Sequence, residues 1–174
     1  MITMDFKDVD NIVLVIGKTE GHIDQSLFAR NILDEKNGPP HGINLFNEKN
    51  NGETLLKLIE AGHIKSAHDV SIGGIITAVS KMCIKGNKGI NINKPKYLIN
   101  EFEYYFGEDQ GRYIIEVKKN SVKKVTDILK KNAVHYDELG TINKDQFFIN
   151  EKTKVSIDEL ITSNTNWLTN YMSK

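Results

Sequence analysis

The sequence predicts a mixed α/β fold, with a β-sheet flanked by helices, in a single domain. Short β-branched runs alternate along the chain with segments whose apolar residues recur at helical spacing. The chain has 174 residues, of which 39% are hydrophobic and 26% charged, as is ordinary for a globular domain with a real core. No repeat, linker or low-complexity segment divides the chain, so we expect residues 1–174 to form one domain.

In the first half of the chain, the pattern predicts alternating strands and helices up to residue 86. The helix that follows the first strand has Asp24 or Ser26 as its N-cap. Gly62 ends the second helix and Gly86 the third. In order, the predicted elements are a buried strand (11–18), a helix (24–33), a rigid Gly-Pro turn (37–42), a helix (53–62), a strand (64–70) and a helix (73–86).

The second half continues the alternation and ends in a long helix. Ser121 is the expected cap of one helix, and Ser156 with Glu159 forms the S-x-x-E pattern of a capping box at the start of the last. The predicted elements are a strand (88–93), an aromatic stretch, polar turn and alternating strand (102–118), a helix (121–132), two strands joined by a short turn (134–142 and 145–150) and a helix (156–172).

Charge and composition exclude several classes of protein. Lys+Arg and Asp+Glu are both 23, so the net charge of zero removes the electrostatic reason to expect nucleic acid or an anionic membrane as partner. No apolar run approaches the roughly 20 residues of a membrane span, and residues 1–10 contain no apolar signal segment. The one cysteine, Cys83, cannot form an internal disulfide. We therefore expect a cytoplasmic protein.

The stretch SAHDVSIGG (66–74) is the first candidate site. A strand delivers His68 and Asp69 to its end, Ser71 can cap the next helix, and Gly73 and Gly74 leave the first helical amides unshielded. Free amides and partial positive charge at a helix N-terminus favour anions, so these five residues are candidates for binding phosphate or a nucleotide. An ordinary strand-to-helix turn, with His68 in a structural role, explains the spacing equally well.

GEDQGR (107–112) is the second candidate site, a polar turn between an aromatic run and a strand. Its residues Glu108, Asp109 and Gln110 stand close to Arg112, one of only two arginines in the chain. Such a turn could hold a ribose or an amide-bearing substrate in a cleft, and the planar guanidinium suits bidentate contacts. A solvated hairpin with Arg112 in an ion pair is the alternative.

The remaining polar residues give no catalytic or metal-binding pattern. The loop 17–26 lacks the spacing of either glycine-rich phosphate-binding motif, so we interpret it as structural. The histidines show no metal-ligand spacing with Cys83, which we place in the core. Because His68 and Asp69 are adjacent on a strand, we expect their side chains on opposite faces. No catalytic residue and no metal ligand is therefore predicted.

Taken in order, the motifs resemble a known family. From about residue 9 to its end, the chain is similar to the C-terminal, AIR-synthase-related domain of the second half of phosphoribosylformylglycinamidine (FGAM) synthase. AHDVS-x-GG and E-x-QGRY are the most specific shared pieces. The other shared segments are VLVIGKTEG, NGPP, LLKLIEAGHIK, MCIKGNKGINI and ELGTI. The resemblance implies a fold of the PurM C-terminal type.

The resemblance also implies a reaction and partners. The complete ligase converts formylglycinamide ribonucleotide (FGAR) to its amidine in purine biosynthesis, with ATP, Mg²⁺ and ammonia from glutamine. The family's catalytic and most ATP-binding groups belong to AIR-synthase-like N-terminal domains, which match nothing in this chain. We expect the chain to be inactive alone and to work with those domains and a glutaminase subunit or domain. We also expect that the surface which would contact the N-terminal domains could form a homodimer.

Three departures from the family pattern suggest a copy under little catalytic demand. Ile72 replaces an acidic residue, Asp109 replaces the serine of E-S-Q, and residues 24–26 replace Gly-Gly-Ser. Two alternatives stay open from the sequence. The domain could serve assembly without binding a ligand, or it could be a divergent relative of AIR synthetase, selenophosphate synthetase and thiamine-monophosphate kinase.

Overall fold

A mixed β-sheet forms the centre of the fold. A computed structural model of the chain describes residues 1–95, 97 and 99–173, and these contain seven strands. Their order across the sheet is β2-β4-β1-β5-β3-β6-β7. Neighbouring strands are antiparallel except β3 and β6, which are parallel. The strands are β1 Ile12–Ile16, β2 Ser66–Val70, β3 Gly89–Ile92, β4 Arg112–Val117, β5 Tyr136–Asn143, β6 Gln146–Ile149 and β7 Thr153–Ser156.

Helices cover both faces of this sheet. Helices α2 and α5 pack on one face through Leu58, Val125 and Leu129, whereas α3, α4 and α6 pack on the other. The mixed α/β fold predicted from the sequence is confirmed. In the described part of the chain the α-helices are α1 Leu27–Asn31, α2 Leu45–Glu60, α3 Gly74–Gly86, α4 Glu101–Phe106, α5 Val122–Lys131 and α6 Ile157–Met172.

Strand β1 shows why the run 11–18 reads as a buried strand. All five of its residues are buried. Val13 and Val15 face α3, while Leu14 and Ile16 face α2 and α5. A strand with a hydrophobic core on each side needs apolar residues at every position, so the run is continuous instead of alternating.

The N-terminal segment is held to the sheet by one buried carboxylate. Glu116 on β4 is fully buried. Its two oxygens accept hydrogen bonds from the backbone amides of Lys7 (2.9 Å) and Asp8 (3.1 Å), from Asn11 Nδ2 (2.6 Å) and from Ser66 Oγ (2.9 Å). These donors satisfy the charge that burial would otherwise leave without partners.

Several predicted boundaries were wrong at helix starts. The helix predicted from residue 53 begins at Leu45, where the Asn44 side chain accepts a hydrogen bond from Asn47 N and caps it. Its first two turns are mostly exposed and polar, so they carry no apolar periodicity. Ser71 does not cap α3, since the N-cap is Gly73 in a left-handed conformation without a side-chain hydrogen bond.

Other local predictions were confirmed or need small corrections. Ser26 caps α1 by accepting from Ala29 N, and the capping box of Ser156 and Glu159 starts α6. Ser121 precedes α5 but makes no capping hydrogen bond. Gly86 is the last residue of α3, and the left-handed Asn87 follows it.

The half of the sheet that contains β5, β3, β6 and β7 differs from the prediction in its strand pairing and in one additional strand. The strands β5 and β6 are consecutive in the chain, yet β3 lies between them and pairs with both. The edge strand β7 escaped prediction because three of its four residues are polar and Val155 is its one apolar residue, so it shows no apolar alternation. No helix in the described residues is long and apolar enough to cross a membrane.

Candidate functional site

Three loops that the sequence places far apart meet at one end of the sheet. They are residues 17–27 after β1, residues 71–74 between β2 and α3, and residues 107–111 before β4. We call them together the loop cluster. Each of the two predicted sites contributes one of these loops, and the first loop, whose residues 17–26 are interpreted from sequence as structural, joins them.

Asp109 fixes the first loop onto the third. It is 2% exposed. Its carboxylate accepts hydrogen bonds from three consecutive backbone amides, those of Glu20 (3.1 Å), Gly21 (3.0 Å) and His22 (2.9 Å). Successive amides that point into one concavity form an anion site, and here the chain fills it with its own carboxylate. His41 Nε2 lies 3.5 Å from the same carboxylate.

Arg112 stabilises the loop cluster through hydrogen bonds from its buried guanidinium. Its side chain is buried and donates from Nε to the Asp109 carbonyl (3.1 Å), from Nη1 to Thr19 Oγ1 (3.1 Å) and from Nη2 to the Gly107 carbonyl (2.7 Å). Nη1 is also 3.5 Å from Asp109 Oδ2. Burial lowers the pKa of the guanidinium, an effect that the charge of Asp109 opposes. The planar fork thus binds the protein's own backbone.

Glu108 joins the two loops that precede helices. One oxygen, Oε1, accepts from Gly73 N at 2.8 Å and from Leu27 N at 2.8 Å. Its own amide donates to the His22 carbonyl at 2.9 Å. The sequence predicts the Gly73 amide as a candidate for binding phosphate. In the structure this amide donates to a carboxylate of the chain itself.

The two glycines of SAHDVSIGG pack closely against other atoms of the protein. Gly73 and Gly74 have φ angles of +84° and +68°. A Cβ atom on Gly74 would lie 2.7 Å from the carbonyl oxygens of Tyr105 and Gly107. The Gly74 amide donates to the Ser71 carbonyl at 3.0 Å. A close backbone approach with a positive φ explains this glycine without any ligand.

His68 and Asp69 meet despite their alternation on β2. His68 Nδ1 lies 3.0 Å from Asp69 Oδ1. The two side chains can meet because β2 is an edge strand of the sheet, and the Asp69 side chain is 61% exposed there. His68 Nε2 is buried and has no hydrogen-bond partner within the described ranges. Asp69 and Ser71 are exposed.

Gln110 is the exposed member of the second predicted site, and it opens on a polar cavity. The cavity measures about 270 Å³ and lies between the loop cluster and the start of α2. Sequence reasoning missed its asparagine lining, because Asn44, Asn47 and Asn51 belong to a stretch with no recognisable motif. Other lining residues are Lys18, Glu20, His41, Glu48 and His135. Within the described residues, no three His, Cys, Asp or Glu side chains are grouped to hold a metal.

Residues 8–150 match the family described as AIR synthase related protein, C-terminal domain. The match covers most of the chain, and the chain belongs to this family. The resemblance predicted from the motifs is confirmed at this level.

The chain is also similar to curated PurL subunits of phosphoribosylformylglycinamidine synthase. The chain is 71% identical over 172 residues to phosphoribosylformylglycinamidine synthase subunit PurL of Pelagibacter ubique (strain HTCC1062), which covers 99% of this chain and 24% of that protein. It is 36% identical over 165 residues to the PurL subunit of Bartonella quintana (strain Toulouse), covering 95% and 22%. The chain thus spans about a quarter of the curated relatives it matches.

Solved structures share the fold at low sequence identity. T. maritima PurL complexed with FGAR has a TM-score of 0.75 at 18% identity, over 92% of this chain and 29% of that one. T. maritima PurL complexed with ATP has a TM-score of 0.73 at 16% identity, over 92% and 27%. The structure of PurLQS from Thermotoga maritima gives 0.69 at 19% identity, over 92% and 27%.

Proposed function

We propose that the chain is the C-terminal domain of the second half of a PurL subunit, and that it serves FGAM synthase as an accessory domain. The 71% identity to a PurL subunit across 99% of the chain carries this proposal. Residues 1–174 would form one domain of a longer subunit, and the AIR-synthase-like N-terminal domains would pack against it. The complete enzyme would act in the cytoplasm with a glutaminase subunit or domain.

The chemistry of the proposed enzyme needs Mg²⁺ ligands that the two carboxylates of the loop cluster do not provide. A ligase that activates the amide oxygen of FGAR with ATP needs Mg²⁺ and donors around a transferred phosphoryl group. In the loop cluster, both oxygens of Asp109 and one oxygen of Glu108 already accept hydrogen bonds from backbone amides. These carboxylates do not suit Mg²⁺, so we assign ATP and Mg²⁺ to the N-terminal domains.

The nine predicted site residues divide into three groups in this proposal. Asp109 and Arg112 brace the loop cluster, and Gly74 allows its close packing. Asp69, Ser71 and Gln110 are candidates for contact with a nucleotide or substrate because they are exposed, and Gln110 also lines the cavity. His68 is a further candidate because its buried Nε2 has no hydrogen-bond partner among the described residues. Glu108 and Gly73 are joined by the hydrogen bond from the Gly73 amide to the Glu108 carboxylate.

A domain exchange tests the proposal. The corresponding quarter of the Pelagibacter ubique PurL subunit is replaced by this chain, and FGAM formation from FGAR, ATP and ammonia is measured. The hybrid should retain activity within about tenfold of the parent, whereas the isolated chain should show none. A folded hybrid without activity, or turnover by the isolated chain, would count against the proposal. The parent subunit with the same junctions but its own domain is the control.

A second candidate is an assembly domain that binds no ligand. The observation that favours it is the internal use of Glu108, Asp109 and Arg112, the three charged residues of the second predicted site. Titration of the isolated chain with a nucleoside monophosphate separates the two candidates, because a ligand that binds the native state raises the melting temperature. A rise that Gln110→Ala and Ser71→Ala reduce would favour a ligand cleft. No rise would favour assembly alone.

A further inference from the structure

We propose that the Glu108 carboxylate is an internal anion that closes the N-terminus of α3 to phosphate and locks the loop 17–27 onto that helix. The proposal goes beyond membership of the synthase, because it concerns a state of the isolated domain. It would make the Gly73 and Gly74 amides of SAHDVSIGG part of a closed contact instead of a phosphate site.

The Glu108 carboxylate lies at the starts of two helices. A single oxygen accepts from two helix-start amides, Gly73 N before α3 and Leu27 N in α1, at 2.8 Å each. The backbone of Glu108 is itself fixed by its 2.9 Å hydrogen bond to the His22 carbonyl. Three hydrogen bonds therefore fix Glu108 in place. Its carboxylate occupies the position that an anion bound at the N-terminus of α3 would take.

The electrostatics exclude a second anion at this place. Amides at a helix N-terminus attract one negative charge because they carry partial positive charge and lack intrahelical partners. Glu108 supplies that charge, and Ser71 O takes the next amide, that of Gly74, at 3.0 Å. A phosphate would meet a carboxylate at short range and would find these two donors already used.

The packing of Gly74 supports the same conclusion independently. The space that its missing side chain leaves is filled by backbone atoms of Tyr105, Phe106 and Gly107, between 2.7 and 2.8 Å from the Cβ position. This close approach brings Gly107 and hence Glu108 up to the start of α3. The glycine therefore serves the closed contact, and it does not leave room for a phosphate.

A phosphate titration of three proteins tests the proposal. Melting temperatures are measured for the unmodified chain, Glu108→Ala and the control Glu103→Ala on the exposed side of α4, at constant ionic strength. Inorganic phosphate should leave the unmodified chain and Glu103→Ala unchanged. Glu108→Ala should melt lower without phosphate and rise by several degrees with it. A rise in the unmodified chain, or a folded Glu108→Ala that does not respond, would overturn the proposal.

An NMR measurement decides the matter even if Glu108→Ala does not fold. In the unmodified chain, the amide protons of Leu27 and Gly73 should both exchange slowly with solvent, since one oxygen accepts from both, and neither resonance should shift when phosphate is added. Fast exchange of either amide, or a phosphate-dependent shift of the Gly73 amide in the unmodified chain, would contradict the closed contact.

Discussion

Glu116 Oε2 accepts a hydrogen bond from Ser66 Oγ at 2.9 Å, and neither residue is exposed to solvent. This contact links β4 to the outer strand β2. The same carboxylate also takes the amides of Lys7 and Asp8 and the side chain of Asn11, so one buried charge organises the edge of the sheet and the N-terminal segment.

Glu116→Gln should therefore destabilise the protein strongly. Whichever way the new amide points, its NH₂ group faces at least one backbone or side-chain donor and leaves it without an acceptor. Each buried donor left unsatisfied costs about 1–3 kcal/mol, so we expect a loss of about 2–4 kcal/mol in the free energy of unfolding. Urea unfolding followed by far-UV circular dichroism measures it. The control is Glu138→Gln, an exposed glutamate on β5, and equal stability of the two variants would contradict the prediction.

Arg112→Lys should weaken the loop cluster even though it keeps the charge. An ammonium cannot reach the Asp109 and Gly107 carbonyls and Thr19 Oγ1 in the geometry of the guanidinium fork. We expect a loss of roughly 3 kcal/mol in the free energy of unfolding, as for other broken buried charge networks. Arg30→Lys is the matched control, because Arg30 is the other arginine and is exposed. If both variants unfold alike, Arg112 does not brace the cluster.

Gly74→Ala should be costly because of both its φ angle and its surroundings. At φ +68° a Cβ atom is strained, and it would lie 2.7 Å from two carbonyl oxygens. We expect a loss of more than about 2 kcal/mol, measured by thermal and urea unfolding. Gly42→Ala, which meets no atom within 4 Å, should change stability by less than about 0.5 kcal/mol. A Gly74→Ala variant as stable as Gly42→Ala would show that the loops can separate freely.

Cys83 should be unreactive in the folded protein across neutral and mildly alkaline pH. Its side chain is buried in α3, and burial raises the pKa of the thiol far above its usual value, so the reactive thiolate is not formed. Labelling with iodoacetamide should require unfolding and should not accelerate between pH 7 and about pH 9. A cysteine introduced by Thr169→Cys on the exposed part of α6 should label fast and should accelerate with pH. Similar rates at the two positions would contradict the burial of Cys83.

The two halves of α6 should contribute unequally to stability. Ile157 is 2% exposed and packs against the sheet, whereas Trp167 is 64% exposed. Ile157→Ala should lower the free energy of unfolding by about 2–5 kcal/mol, and Trp167→Ala by less than about 0.5 kcal/mol. Equal losses would mean that the distal part of α6 packs on the domain. Urea unfolding of both variants provides the comparison.

The amino-acid sequence by itself determined the elements whose signal is local. The continuous apolar run of β1, the helical spacing in α3 and the capping box of Ser156 and Glu159 all depend on neighbours a few residues apart, and these were predicted correctly. The family resemblance also came from the sequence, because its motifs are short and ordered along the chain. The helix start at Leu45 and the edge strand β7 were missed, since exposed polar segments carry no periodicity.

Only the tertiary structure decided what the predicted site residues do. Glu108 is 35 residues from Gly73 and 81 from Leu27, and Arg112 is 93 from Thr19. No local pattern reports which distant donors a carboxylate or a guanidinium will meet. A charged side chain beside a helix start is compatible with a ligand or with the chain itself as partner. For Glu108, Asp109 and Arg112 the partner is the chain itself, because β2, β4 and the three loops fold together around one end of the sheet. Charged groups that the fold encloses require hydrogen bonds from the groups around them.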